Sequence, residues 1–195
     1  MKTAISSHMK HTASMALIFA LGVASVSAQQ SAKMKFSGTA GNSPVDIPYN
    51  YASYDEDNFA GKGTLGSFTL RNERALPNSP TTSSTCSGPD DLYFVEGPGA
   101  GIFRFQDGSL LYAQVTQGTD CINVVTNEAQ CILTYQITGG TGRFKHASGT
   151  LELTETAVSE LLDAGGNPIY YAATGEITGT VSGVSSEERD QGELH

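Results

Sequence analysis

The sequence predicts an all-β fold, a single closed antiparallel β-barrel of about eight strands. Three observations predict it. Apolar and polar residues alternate with period two along most of the 195 residues, as they do in strands with one buried face. Turn-forming groups break these runs at short spacing, and 22 glycines help to supply them. Only residues 152–162 could be argued as a helix, and their threonines, Val158 and alternating start favour a strand.

The elements follow in order. Residues 34–40 read as a strand. Residues 45–60 are ambiguous, with Tyr49, Tyr51 and Tyr54 beside the acidic run Asp55-Glu56-Asp57. In residues 62–74, Leu65 precedes a break at Gly66, and Phe68 and Leu70 then share a face. Residues 76–89 form a long polar loop. Residues 92–95 and 102–105 are short strands, the second with Phe103 and Phe105 on one face, before a turn at residues 106–109. Leu111, Ala113 and Val115 mark the next strand, and Leu133, Tyr135 and Ile137 the one after. Leu151, Leu153 and Glu155 share a face in residues 150–161. A turn at residues 163–168 leads to the last strand, which alternates Ile169, Tyr171, Ala173, Gly175, Ile177, Gly179 and Val181. Small inward residues such as Gly175 and Gly179 let strands bend and a lumen taper.

Residues 1–28 read as a secretory leader. Lys2 and Lys10 precede the apolar run MALIFALGVASV, and Val26-Ser27-Ala28 puts small residues where a cleavage site needs them. The run is shorter than the roughly 20 residues a membrane helix requires. The barrel domain is then residues 29–184, and residues 185–195 form a charged tail expected to be disordered. The leader carries two of the 11 basic residues and none of the 20 acidic ones, so the mature chain of 167 residues has a net charge of −11. That opposes binding to phosphate backbones and anionic lipid, so neither nucleic acid nor membrane is expected as a partner. The expected location is the periplasm or the medium.

Export implies an oxidising compartment. Cys121 and Cys131 flank nine residues between two strand-like runs, and a hairpin could join them. Closing so short a loop stabilises by about 2–3 kcal/mol. The favoured pairing is Cys121–Cys131, with Cys86 free or paired between chains; the competing one joins Cys86 to either partner.

Glycines 139, 140 and 142 lie in TGGTG, which superficially suggests a dinucleotide-binding turn. Position 145 is Lys where the third glycine would fall, and no amphipathic helix follows to face a pyrophosphate. No cofactor is expected. The run Ile137-Thr138-Gly139-Gly140-Thr141-Gly142-Arg143-Phe144, followed by Ala147-Ser148-Gly149-Thr150-Leu151, instead resembles an ITGGTGRF…ASGT signature of secreted bacterial proteins. These are similar to the allene oxide cyclase and dirigent barrel superfamily. The resemblance implies an eight-stranded, calycin-like antiparallel barrel. It also implies that relatives act by confining a reactive ligand in an apolar lumen. No stretch here matches their catalytic positions, so no catalytic residue is carried over.

The chemistry legible in the chain is sparse. His146 sits in a Gly-flanked linker with no evident nucleophile and reads as an exposed turn residue. No spacing suits zinc. Asp55, Asp57 and Asn58 near Asp46, and Asp90-Asp91, offer oxygens for calcium but lack a closing Glu at loop position twelve. No metal is therefore expected. The remaining candidate is the lumen, with Phe103, Phe105, Tyr135, Glu155 and Tyr171 as its lining and Glu155 placed near a solvent-reaching rim. A lumen filled by its own side chains is favoured over an open cavity. Three readings result. The leading one is a non-enzymatic exported barrel, structural or holding a small apolar ligand. The others are an isomerase- or cyclase-like enzyme acting by confinement, and an interaction protein using the tyrosines at positions 49–54.

Overall fold

The computed structural model describes residues 28–43, 51–77, 79–82, 86 and 91–185. Residues 1–27 of the expected leader, Asp46, Tyr49, Asp90 and residues 186–195 of the expected tail lie outside the described residues.

Among the described residues nine strands form, in chain order β1 (Gln30–Ser43), β2 (Tyr51–Gly63), β3 (Gly66–Pro77), β4 (Asp91–Val95), β5 (Gly99–Phe105), β6 (Leu110–Asn123), β7 (Glu128–Gly140), β8 (Ser148–Leu162) and β9 (Pro168–Ser182). All pairings are antiparallel, and the sheet runs β4-β6-β5-β3-β2-β1-β9-β8-β7. Pairing of β6 with β7 closes eight of these strands into a barrel. The ninth, β4, continues beyond β5 along the same edge of β6: β5 pairs with β6 from Leu110 to Val115, β4 from Thr119 to Asn123. Closure removes the exposed sheet edges that an open sheet would present.

Alternation fixes what lies inside. Phe103, Leu111, Leu133, Leu151, Leu153 and Ile177 are all buried and belong to one hydrophobic core. Each such side chain contributes about 1.5–3 kcal/mol by leaving water. Phe36 stacks on Phe59 with centroids 4.4 Å apart, and Phe103 meets Tyr135 edge-on at 6.1 Å. Gly175 makes room for this layer, since a Cβ there would overlap the Thr154 carbonyl oxygen and the Phe36 ring.

The TGGTGRF segment closes one end. A short 3-10 turn, Gly142–Phe144, follows β7 and drives Phe144 into the lumen, where it is fully buried against Phe105. Arg143 lies over both rings, bonds the Leu65 carbonyl and pairs with Asp107 at 2.8 Å. Gly140 approaches the Leu110 carbonyl and Phe144 too closely for any side chain. Gly142 takes a left-handed φ of 55°. These glycines serve a plug; no helix N-terminus is built.

Several sequence readings are resolved or corrected. Residues 51–60 of the ambiguous stretch belong to β2, and Leu76 and Pro77 of the expected loop end β3. The calcium set disperses: Asp57 points into the lumen, while Asn58 is exposed and bonds Glu56. The disulfide joins Cys86 to Cys121, Cα atoms 5.5 Å apart, and Cys131 is a buried free thiol. The Cys121–Cys131 pairing fails for a register reason. Cys121 stands opposite Gln130 and Cys131 opposite Asp120, so the two sulfurs project from opposite faces of the hairpin. Finally, Glu155 is not at a solvent-reaching rim; it is buried to 3% exposure.

Candidate functional site

The end of the lumen opposite the Phe144 plug is charged. Ser53, Asp57 and Phe59 alternate inward along β2, and Asn72 and Arg74 continue the inward phase of Phe68 and Leu70 on β3. On β6 the register shifts between Val115 and Gln117, moving the inward phase from Val115 to Gly118 and Asp120. Cys131 on β7 and Glu155 on β8 complete a row, because Asp120 pairs with Cys131 and Cys131 with Glu155. Glu96 arrives from the break between β4 and β5. Its amide bonds the Gly118 carbonyl, and its side chain lies where a Cβ on Gly118 would stand.

Arg74 is the hub, with its side chain 4% exposed. Its guanidinium reaches Asp57 at 2.5 Å, Glu96 at 3.0 Å, Asp55 at 3.5 Å and Asp120 at 4.0 Å. The Asn72 amide donates to the same Asp57 oxygen at 2.8 Å. Burial alone would disfavour the charge on Arg74, but Asp57 and Glu96 outweigh it and hold the guanidinium cationic. Four carboxyls thus face one cation, and Glu155 lines the same cavity.

Such an excess cannot stay ionised out of water. Burial pushes Asp55 up to about 7 against the pull of Arg74. Burial and then the Asp57 charge push Glu155 up to about 8. Glu96 and Asp120 are raised as well, each chiefly by burial. Burial also raises the Cys131 thiol, and it raises Tyr171 to about 12. Glu155 Oε2 and the Tyr135 hydroxyl have no hydrogen-bond partner among the described residues.

This cluster sets a pH dependence. Asp55 and Glu155 have folded pKa values above their unfolded values of about 4. The folded chain therefore binds protons that the unfolded chain has released, and this stabilisation fades as pH rises through about 7 and 8. The melting temperature is expected to fall by roughly 5 °C or more between pH 6 and 9, with Glu155→Gln flattening part of the slope. A calorimetric series whose melting temperature is flat over that range would contradict the buried cluster.

A cavity of about 40 Å³ lies among these groups, lined by Asp55, Arg74, Asp120, Cys131, Glu155 and Tyr171 together with Ala40, Leu76, Ile122, Ala129 and Ala157. A larger depression of about 880 Å³ at the plugged end, beside Gln30, Gly66 and Arg143, is open to solvent. Its guanidinium is already paired with Asp107. Of the five residues expected to line the lumen, Glu155 and Tyr171 border the small cavity. Phe103, Phe105 and Tyr135 are packed in the core.

The chain is similar to a pterocarpan synthase dirigent protein. The likeness covers 87% of this chain and 99% of that one, at 10% identity and a TM-score of 0.36. At that distance no residue role passes between them. No family model matches the chain, and no curated protein matches it.

Arg74, Glu96 and Asp120 were missed in the sequence, and Asp57 was weighed only as a calcium ligand. Asp57 hid in an acidic run that resembled a solvated loop, although it is in phase with Phe59. Arg74 is likewise in phase with Phe68 and Leu70. Glu96 and Asp120 follow a strand break and a bulge, where no period-two count carries through.

Proposed function

We propose that this chain is an exported, non-enzymatic β-barrel whose lumen is a structural core, with room only for an ion or a water molecule at its charged end. The observation that carries this reading is volume. Organic-ligand sites occupy about 300–1,000 Å³. Here aromatic and aliphatic side chains fill the lumen, and the cavity at the charged end measures about 40 Å³. Confinement of a reactive organic substrate needs space that the side chains already occupy. Export is supported by the leader-like N-terminus and by the Cys86–Cys121 disulfide, which persists where thiols are oxidised.

Titration with the neutral apolar dye Nile red tests the reading. The purified protein is expected to show no saturable binding. A one-to-one complex that Ala157→Leu abolishes, with circular dichroism unchanged, would overturn it and return the ligand-carrier and confinement readings.

A further inference from the structure

We infer that Glu96, Asp120, Cys131 and Glu155 form a binding site for a divalent cation of the zinc type. The inference deepens the reading of an ion-sized space at the charged end and rests on it.

The donors converge from β6, β7, β8 and the break between β4 and β5. One ligand atom each from Glu96, Asp120 and Cys131 lies within 4.8 Å of the other two, and all three residues are buried. Tetrahedral coordination with bonds of about 2.0–2.3 Å puts ligand atoms roughly 3.3–3.8 Å apart. Small side-chain rotations therefore close the set. Glu155 is the independent sign that something belongs there. It stands in register with Cys131 on the next strand, lines the same cavity, is 3% exposed, and leaves Oε2 without a partner among the described residues. A buried carboxylate oxygen without a partner is costly, and a cation in the cavity would satisfy it.

Size and charge agree. A cavity of about 40 Å³ admits an ion with a bound water. Arg74 is shared among Asp57, Asp55, Glu96 and Asp120, so its single charge leaves the carboxyls in excess, and the row across β6, β7 and β8 lacks a second cation among the described residues. The thiol decides the class of metal. One sulfur with carboxylate oxygens suits zinc or cobalt, whereas calcium and magnesium take oxygen donors alone. Binding would release to solvent the thiol proton and whatever protons burial holds on the ligand carboxyls, Glu155 included.

Cobalt(II) is the probe, because thiolate ligation gives a sulfur-to-cobalt charge-transfer band in the near ultraviolet that carboxylate or histidine ligation lacks. The disulfide-intact full chain is titrated with Co²⁺ near pH 8, without added thiols. The expected result is a saturable one-to-one band, bleached by Zn²⁺ and unaffected by excess Ca²⁺. It should be absent in Cys131→Ser and require roughly tenfold or more Co²⁺ in Glu155→Gln. Thermal melts show whether each variant is folded. Glu155→Gln keeps Cys131, so it remains informative if Cys131→Ser does not fold. No charge-transfer band in the wild type, a band that survives in Cys131→Ser, or unchanged affinity in Glu155→Gln overturns the metal site. If no band appears and Nile red also fails to bind, the packed-lumen reading stands and only the metal site falls.

Discussion

Replacing Arg74 with alanine is expected to cost about 3–5 kcal/mol of stability at neutral pH, the range for removing one partner of a buried ion pair. The cost arises less from lost attraction than from what remains. Asp57 is fully buried, and Glu96 and Asp120 are nearly so; each would lose the cation that offsets its desolvation. Urea unfolding at pH 7 measures the loss. Lowering the pH to 5 should recover part of it, because carboxyls that take up protons no longer need the guanidinium. Arg74→Lys should recover little, since one ammonium cannot reach four carboxyls fanned around a planar fork. A loss below about 1 kcal/mol for Arg74→Ala would mean that the cluster is hydrated.

The second large effect is at the disulfide. Cys86 and Cys121 are separated by 35 positions, so the bond closes a long loop containing β4, β5 and most of β6. In the chain-entropy account, opening it releases about 4 kcal/mol of freedom in the unfolded chain. Cys86→Ser and Cys121→Ser should each lose stability of that order, and the two losses should not add, because either change breaks the same bond. Non-reducing peptide mapping checks the pairing independently. It should return a Cys86–Cys121 peptide and an alkylatable Cys131 only after unfolding. A Cys121–Cys131 peptide would contradict the register that places those sulfurs on opposite faces of the hairpin.

The barrel was legible because its inner face is written in period two. Phe103 with Phe105, Leu111 with Ala113 and Val115, and Leu133 with Tyr135 and Ile137 all turn inward as their spacing requires. The charged end was not legible, for three physical reasons. A bulge on β6 flips the inward phase, so Asp120 faces the lumen while alternation counted from Leu111 would point it outward. The interruption between β4 and β5 delivers Glu96 from a segment with no period at all. Acidic residues in a run read as solvated until a cation is seen opposite them, and Arg74 lies 17 positions from Asp57. Glu155 was in phase with Leu151 and Leu153 throughout; what the chain could not reveal was that its side chain is buried to 3% exposure rather than reaching solvent.

The central claim is that this end of the lumen is dry enough to hold protons at neutral pH. A carbon-13 titration of the side-chain carboxyls, on protein treated with chelator, tests it residue by residue. The account predicts a midpoint of about 7 for Asp55 and about 8 for Glu155. If Asp55 and Glu155 both titrate near 4, the ordinary value for a solvated carboxyl, the cluster is in water and the account is wrong.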